Sequence, residues 1–317
     1  MNNFETVLQS INWNTEPINL YKPIDYTLKS GGKRLRPMLV QLACQLFEKK
    51  TESAENAAAA IEIFHNFTLL HDDIMDNSPT RRNRETVHKK WNANTAILSG
   101  DAMMIKSYEF LAKIPQKYWG EVFPVFTKTA LEVCEGQQYD MDFETAKEVS
   151  LTQYFEMIRL KTAALLACSL KIGAILADAP KKDADLLYDF GIALGIAFQL
   201  KDDYLDAFGD EKTLGKRIGG DILCKKKTFL LLSAIEKSED DINNLLQITI
   251  GSKFITDEKK ISVITNIFKK IDMPKICETE IEKYCQKAIN CLEKIEVKNE
   301  KKTDLKDLVE KLQVRIN

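Results

Sequence analysis

The chain has few of the residues that interrupt regular structure, and this limits the folds that it can adopt. It has 13 glycines and 8 prolines in 317 residues, and after Pro124 the only prolines are Pro180 and Pro274. An all-β or alternating α/β fold would need turn signals roughly every 8–12 residues. Apolar residues instead recur every three or four positions, as they do in helices. We therefore predict an all-α fold.

Paired cysteines, long apolar runs and an excess of charge are also missing. The 7 cysteines include no C-x-x-C pair, so free thiols in a reducing compartment are expected. No apolar run approaches the ~20 residues that span a bilayer, and the first residues show no signal-peptide pattern. The net charge of −2 gives no general attraction to nucleic acid or to an anionic membrane. We predict one cytoplasmic domain, residues 1–317, with no nucleic-acid partner and no stable membrane anchor.

Two long helical segments each end in an Asp-Asp-x-x-Asp motif. The first, AENAAAAIEIFHNFTLLHDDIMD, has Thr51 or Ser53 as its cap and Asn77 to Pro79 as its stop; the second runs from about Asp183 to Phe208. The six carboxylates are Asp72, Asp73, Asp76, Asp202, Asp203 and Asp206. Carboxylates at a helix C-terminus oppose the macrodipole and repel one another. A single motif of this kind is more often just a solvated helix end. Two copies, each at the end of a long apolar helix, favour a site that binds Mg²⁺.

Basic residues accompany both acidic motifs. The segment GGKRLRP, residues 31–37, carries three cations on a glycine turn, and Arg81 and Arg82 follow the first acidic motif. Lys161 begins an Ala-rich helix, and Lys216 and Lys226 follow the second motif. Arginine suits bidentate phosphate contacts and lysine suits point-charge contacts. Considered alone, each of these cations would be interpreted as an ordinary surface residue. Together with the acids and the apolar helices, they describe a site for a diphosphate with an apolar tail.

The ordered motifs resemble those of the trans-prenyltransferases, the polyprenyl synthetase family. They are GGKRLRP, LHDDIMD followed by RR, the KT pair, GQQYD, FQLKDDYLD and GKRIGGDILCKKKT, over roughly residues 28–230. The resemblance implies an isoprenoid-synthase-type helical bundle around a deep central cavity, assembled as a homodimer. It also implies Mg²⁺ as cofactor, with three ions when substrate is bound, and isopentenyl diphosphate and allylic diphosphates as substrates.

The resemblance assigns a role to each site residue. Asp72, Asp76 and Asp202 would bind Mg²⁺, supported by Asp73, Asp203 and Asp206. The allylic diphosphate would be held by Arg81, Lys161 and Lys216. Isopentenyl diphosphate would be held by Lys33, Arg36, His65 and Arg82. Thr162 and Gln199 would line the reacting centre with Lys161, and Lys226 would close over it.

A helical wheel supports part of this assignment. His65 lies ~20° from Asp72, and Gln199 lies ~60° from Asp202. A lone histidine is more often part of the core, but its place beside Asp72 favours a ligand role. Gly191 and Gly195 lie within ~20° of Asp202. They either leave room for a growing chain or allow close helix packing.

The length of the product is expected to depend on what closes the cavity. In this family, bulky residues shortly before the first acidic motif often do so, and here Phe64 and Phe67 precede Asp72. The pattern resembles short-chain enzymes with C15 to C20 products, and we favour geranylgeranyl diphosphate. An ideal wheel places Phe67 ~140° and Phe64 ~80° from Asp72. The determinant is therefore Phe64 or a side chain of another helix, unless both rings are ordinary core aromatics.

Three other protein classes share part of the pattern. A class I terpene cyclase has the first acidic motif, but its second motif usually mixes Asn, Asp, Ser, Thr and Glu. A non-catalytic subunit of a heteromeric synthase would be expected to lose acidic motifs. A di-iron carboxylate bundle needs a Glu-x-x-His motif on each of two helices. Glu62 with His65 and Glu85 with His88 have this spacing, but that pattern leaves the two Asp-Asp-x-x-Asp motifs and the basic segments unexplained. We therefore favour a prenyl diphosphate synthase.

Overall fold

The computed structural model describes residues 3–49, 54–209, 218–252 and 254–314. In chain order the helices are α1 (Asn3–Ser10), α2 (Ile18–Leu28), α3 (Leu35–Leu46), α4 (Glu55–Met75), α5 (Val87–Lys90), α6 (Ala93–Leu111), α7 (Trp119–Thr145), α8 (Leu151–Ile158), α9 (Ala164–Leu176), α10 (Lys181–Phe208), α11 (Gly220–Leu223), α12 (Phe229–Lys237), α13 (Asp240–Gly251), α14 (Asp257–Lys270), α15 (Met273–Glu293) and α16 (Thr303–Val314). Two 3₁₀ turns are Gln116–Tyr118 and Asn299–Lys302, and a π-helical turn, Arg159–Ala163, joins α8 to α9. The strands β1 (Thr80–Arg81) and β2 (Arg84–Glu85) form a short antiparallel hairpin. The predicted all-α fold is confirmed.

The chain divides into two compact units. The first comprises the described residues of Met1–Thr127, Cys168–Tyr188 and Glu296–Lys302. The second comprises those of Lys128–Ala167, Asp189–Ile295 and Thr303–Asn317. The expectation of a single domain over residues 1–317 stays a prediction. Over the described ranges, no helix has both the length and the apolar character that a transmembrane span requires.

Helix α4 is the central helix of the first unit. It packs against α1, α2, α3, α5 and α6. The alanines from Ala57 to Ala60 are fully buried, and side chains this small let neighbouring helices approach closely. The prediction of a buried central helix is therefore confirmed. It begins at Glu55, whereas the predicted caps, Thr51 and Ser53, lie outside the described residues.

The end of α4 is fixed by a left-handed residue. Asn77 has a φ of 50°. Its N–H donates to the carbonyl of Ile74 at 3.1 Å, and the N–H of Ser78 donates to the carbonyl of Asp73 at 3.0 Å. These two bonds form a Schellman motif with asparagine in the left-handed position. The predicted stop is thus confirmed, and it places the first acidic motif in the last turn of the helix.

Helices α12 and α15 organise much of the second unit. Helix α12 packs against α8 and α15, and α15 also packs against α14 and α16. The buried side chains of α15 form one stripe with helical spacing, which consists of Met273, Cys277, Ile281, Cys285, Ala288 and Leu292. This helix is therefore amphipathic, with its polar residues on the opposite face.

Two glycines of α10 allow close packing in the second unit. A Cβ atom at Gly191 would lie 2.4 Å from Cα of Ala167, and one at Gly195 would lie 2.5 Å from Cα of Ala163. Both distances are far below van der Waals contact. Of the two explanations considered for these glycines, the structure supports close helix packing.

Candidate active site

The first acidic motif is neutralised in part by an arginine from the hairpin. Arg81 donates from Nε to Oδ1 of Asp73 at 2.6 Å and from Nη2 to Oδ2 of Asp72 at 3.0 Å. Burial raises the pKa of Asp73 to about 6, and Arg81 opposes this shift. Asp76 is exposed. Arg81, which we expected to contact a diphosphate, thus supplies the cation that the strained helix end requires.

The tight turn of the hairpin sets the directions of Arg81 and Arg82. Arg82 and Asn83 have φ values of 52° and 59°, which is the left-handed geometry of a two-residue hairpin turn. Arg82 donates from Nη1 to the carbonyl of Gly31. A Cβ atom at Gly32, whose φ is 126°, would lie 2.7 Å from the guanidinium of Arg82. Glycine at this position therefore lets the two basic segments meet.

Three guanidinium groups, those of Arg34, Arg36 and Arg82, form an arginine cluster around one buried carboxylate. That carboxylate is Glu62, which is 2% exposed and accepts a hydrogen bond from Arg34. Glu62 also interacts electrostatically with Arg36 and Arg82. One negative charge among three positive charges leaves the cluster cationic. Glu62 lies in none of the acidic and basic motifs that predict this site from the sequence.

Arg36 and His65 form a pair within the arginine cluster. Nη1 of Arg36 donates to Nε2 of His65 at 3.1 Å. Burial lowers the pKa of Arg36 to about 10, which leaves it charged at neutral pH. Burial and then the charge of Arg36 hold the pKa of His65 well below its ordinary value, so this imidazole is neutral. Nε of Arg36 is buried and has no hydrogen-bond partner within the described part of the chain, which is an arrangement that suits an anion. Lys33 is exposed.

Phe64 and Phe67 belong to one buried aromatic cluster. Phe64 is 1% exposed, and its ring centroid lies 5.4 Å from those of Phe67 and Phe126. Phe126 packs edge-on against Tyr108, and Phe67 packs against His71. Both phenylalanines are thus part of the core of the first unit. Their effect on product length stays a prediction.

Lys161 lies in the π-helical turn, and α7 determines its position. Its Nζ atom lies 2.6 Å from Oδ2 of Asp140. A Cβ atom at Gly136 would lie 2.3 Å from the backbone nitrogen of Lys161, so this glycine lets the two backbones touch. Gly136 and Asp140 both come from the segment GQQYD. Turns of this kind occur often at functional sites.

Thr162, Gln199 and Asp203 are joined in a polar chain in the second unit. Thr162 Oγ1 donates to Gln199 Oε1 at 3.0 Å, and Gln199 Nε2 donates to Asp203 Oδ1 at 3.0 Å. Asp203 Oδ2 accepts from the hydroxyl of Tyr154 at 2.7 Å and from the backbone N–H of Phe229 at 3.0 Å. Two predicted reaction-centre residues are therefore in contact. Tyr154 was not identified from the sequence.

Asp206 ties the second acidic motif to the segment that carries Lys226. Asp206 is 2% exposed, and its Oδ2 accepts from the N–H of Asp221 at 3.0 Å. The carbonyl of Asp221 accepts from the N–H of Lys226 at 2.9 Å. The backbone of Lys226 is thereby linked to the motif, while Lys216 lies outside the described residues.

The six aspartates divide into buried and solvent-accessible carboxylates. Asp73, Asp203 and Asp206 are buried, whereas Asp72 and Asp202 are half-buried and Asp76 is exposed. Throughout the described ranges, no three His, Cys, Asp or Glu side chains converge as a ready metal cage. Mg²⁺ usually takes one or two carboxylates and completes its octahedron with water and substrate phosphates. The accessible carboxylates therefore fit Mg²⁺ carried by a diphosphate.

Known proteins resemble this chain over most of its length. The Polyprenyl synthetase family model matches residues 17–268. The geranylgeranyl diphosphate synthase of Sulfolobus acidocaldarius is 38% identical over 285 residues, which is 89% of this chain and 86% of that protein. A crystal structure of a geranylgeranyl pyrophosphate synthase is 45% identical with a TM-score of 0.93, covering 99% of this chain and 97% of that one. The geranylgeranyl pyrophosphate synthetase from Pyrococcus horikoshii Ot3 is 32% identical with a TM-score of 0.91, covering 98% and 94%.

These similarities extend from sequence to fold. The helices reproduce the all-helical isoprenoid synthase fold of the solved relatives. The family model covers the acidic motifs, the arginine cluster and the polar chain. This chain therefore belongs to the polyprenyl synthetase family, whose members are prenyltransferases.

Proposed function

We propose that the chain is a short-chain trans-prenyl diphosphate synthase. It condenses isopentenyl diphosphate with dimethylallyl, geranyl or farnesyl diphosphate to a product of C15 to C20, chiefly geranylgeranyl diphosphate. The three relatives described above are named geranylgeranyl diphosphate or pyrophosphate synthases or synthetases, which supports this product.

The arginine cluster is the observation that carries the proposal. It is cationic, and it contains the buried Nε of Arg36, which has no hydrogen-bond partner among the described residues. The acidic motifs suit a diphosphate that arrives with Mg²⁺, whereas the arginine cluster suits an anion without a metal. A synthase needs to bind two diphosphates, and a cyclase binds one. The cluster therefore favours the synthase.

Each accessible carboxylate has a proposed part in the reaction. Asp72, Asp76 and Asp202 bind Mg²⁺, which when bound stabilises the negative charge that develops on the departing diphosphate. Lys161 reaches the same diphosphate, and Asp140 holds its ammonium in place. Arg81, Lys216 and Lys226 add positive charge. Among the buried carboxylates, Asp73 holds Arg81 by a hydrogen bond, and Asp206 is linked through Asp221 to the backbone of Lys226. Asp203 holds the side chain of Gln199.

Isopentenyl diphosphate is proposed to bind at the arginine cluster. Arg36 and Arg82 contact its phosphates, and the exposed Lys33 adds a charge at the surface. His65 is neutral and its Nε2 accepts from Arg36, so it donates through Nδ1 without adding charge. Thr162 and Gln199 line the reacting centre, where their oxygen atoms face the carbon that becomes positive.

The enzyme is proposed to act as a homodimer. Helix α6 carries an exposed apolar stripe that consists of Ile97, Leu98, Met104 and Ile105. The stripe repeats at seven residues and lies on one face of the helix. A contiguous exposed apolar face of this kind is typical of a protein–protein interface, and a second copy of the chain is the proposed partner.

Incubation with Mg²⁺, isopentenyl diphosphate and each allylic diphosphate tests the proposal. The expected product is a linear C15 to C20 diphosphate that contains labelled isopentenyl units. A cyclic hydrocarbon formed from one allylic substrate would instead establish a terpene cyclase. Folded protein without turnover would indicate a non-catalytic subunit.

A further inference from the structure

The polar chain that ends at Thr162 has its hydrogen-bond direction fixed at the opposite end. Oδ2 of Asp203 accepts from the hydroxyl of Tyr154 and from the backbone N–H of Phe229. Tyr154 is 1% exposed and Asp203 is 4% exposed, so bulk water does not compete. Because a backbone N–H can only donate, Oδ2 of Asp203 must be an acceptor.

Asp203 in turn selects the orientation of the Gln199 amide. A glutamine side chain has a donor end and an acceptor end, and its carboxamide can turn over without changing shape. Oδ1 of Asp203 lies 3.0 Å from Nε2 of Gln199. A carboxylate accepts and does not donate, so it holds the NH₂ end. Oε1 is therefore turned toward Thr162.

The orientation passes from Gln199 to the hydroxyl of Thr162. Oγ1 of Thr162 lies 3.0 Å from Oε1 of Gln199, and two oxygens at this distance share one proton. The amide oxygen carries no proton, so the threonine hydroxyl donates. Its lone pairs remain available to other neighbours. The negative ends of the two side-chain dipoles are thus Oε1 of Gln199 and the lone pairs on Oγ1 of Thr162.

We propose that Tyr154 and Asp203 are positioning residues that set the polarity of the reacting centre. They hold Gln199 and Thr162 with oxygen atoms toward the positive charge that develops on the allylic substrate, which is where preorganised dipoles lower a barrier. Neither Tyr154 nor Asp203 has to touch substrate for this. The inference rests on the proposed function, which places Thr162 and Gln199 beside the reacting carbon.

The substitution Asp203→Asn is expected to reverse the polarity without changing shape. The new carbonyl has to face the N–H of Phe229, so the new NH₂ faces Gln199 and turns its amide over. The NH₂ of Gln199 then points at Thr162. We expect kcat to fall about hundredfold, the size of effect seen when one preorganised dipole is lost, with KM for isopentenyl diphosphate unchanged. Adding Gln199→Glu to Asp203→Asn gives Thr162 a hydrogen-bond acceptor again. We expect kcat of the double variant to be about tenfold higher than that of Asp203→Asn.

The substitution Tyr154→Phe tests the far end of the chain. It removes one hydrogen bond to a charged group, and we expect kcat to fall about tenfold. Tyr118→Phe is the matched control, because the hydroxyl of Tyr118 also donates to a carboxylate, that of Asp178, at 3.0 Å. No proposed site residue takes part in that bond, so its kcat is expected to match the wild type.

A spectroscopic measurement separates this inference from the proposed function. The side-chain NH₂ signal of Gln199, assigned by its loss in Gln199→Glu, is expected to shift in Asp203→Asn and in Tyr154→Phe but not in Tyr118→Phe. A wild-type protein without prenyl transfer would overturn the proposed function, and the amide shift would still report on the polarity. Unchanged kcat in Tyr154→Phe, or an unmoved amide signal in Asp203→Asn, would overturn the inference.

Discussion

A single methyl group at Gly136 is predicted to displace Lys161, which is proposed to act in catalysis. A Cβ atom there would lie 2.3 Å from the nitrogen and 2.7 Å from Cα of Lys161, and 2.8 Å from Cβ of Leu160. Ordinary contacts between such atoms lie at about 3.5 Å. The first two neighbours are backbone atoms, which cannot rotate away. In Gly136→Ala the π-helical turn and α7 must therefore separate by about 1 Å.

The expected effects on stability and activity differ in size. Overpacking costs about 1–3 kcal/mol, and the better helix propensity of alanine offsets about 1 kcal/mol of this. The free energy of unfolding should thus fall by at most about 2 kcal/mol. A displacement of about 1 Å at a catalytic group can lower the rate about hundredfold. We therefore expect kcat of Gly136→Ala to fall about hundredfold in a folded protein.

Gly120→Ala is the matched control, because Gly120 lies in the same helix and nothing lies within 4 Å of its Cβ position. Steady-state kinetics with farnesyl diphosphate and labelled isopentenyl diphosphate give kcat, and urea unfolding gives stability. Gly120→Ala should keep the wild-type kcat and be equally or more stable. Equal kcat values for Gly136→Ala and Gly120→Ala would refute the argument that this contact positions Lys161.

Three further substitutions test the acidic motif and the product length. Phe64→Ala or Phe67→Ala should lengthen the product, measured by chromatography, at a cost of about 3–5 kcal/mol in stability; unchanged length in both would remove them as determinants. Asp72→Ala should abolish turnover while the thermal unfolding midpoint stays near that of the wild type. The change relieves the repulsion between carboxylates, and Arg81 still donates its hydrogen bond to Asp73. An unfolded Asp72→Ala protein would show instead that this carboxylate is structural.

Local signals explain why much of the fold could be predicted from the sequence. The apolar repeat of α4 and the stop at Asn77 involve residues within one or two turns of each other. They located the helix and its acidic end to within a few residues. The long segments without proline indicated the all-α class in the same way.

Long-range partners explain what the sequence did not reveal. Glu62, Asp140 and Tyr154 lie within helices and look like ordinary polar or aromatic positions. Their partners are 28, 21 and 49 residues away in the chain, so only the folded protein shows the contacts. The hairpin was missed because strands of two residues are too short to show alternation. Gly136 belongs to the segment GQQYD, but its close contact with Lys161 depends on how α7 packs against the π-helical turn.

Several expectations stay predictions. They concern the roles of the individual site residues, the three Mg²⁺ ions, the deep central cavity, the homodimer and the cytoplasmic location. The structure supports the proposed roles through charge and burial. The accessible carboxylates suit a diphosphate that carries Mg²⁺, whereas the arginine cluster suits an anion without a metal.

The most direct test of the central claim is a single-turnover experiment with farnesyl diphosphate, isopentenyl diphosphate and the enzyme in excess. The products are separated by chromatography with Mg²⁺ present and with Mg²⁺ removed by EDTA. We predict that geranylgeranyl diphosphate forms only when both Mg²⁺ and isopentenyl diphosphate are present. Equal product in EDTA, or consumption of farnesyl diphosphate to a hydrocarbon without isopentenyl diphosphate, would contradict the account.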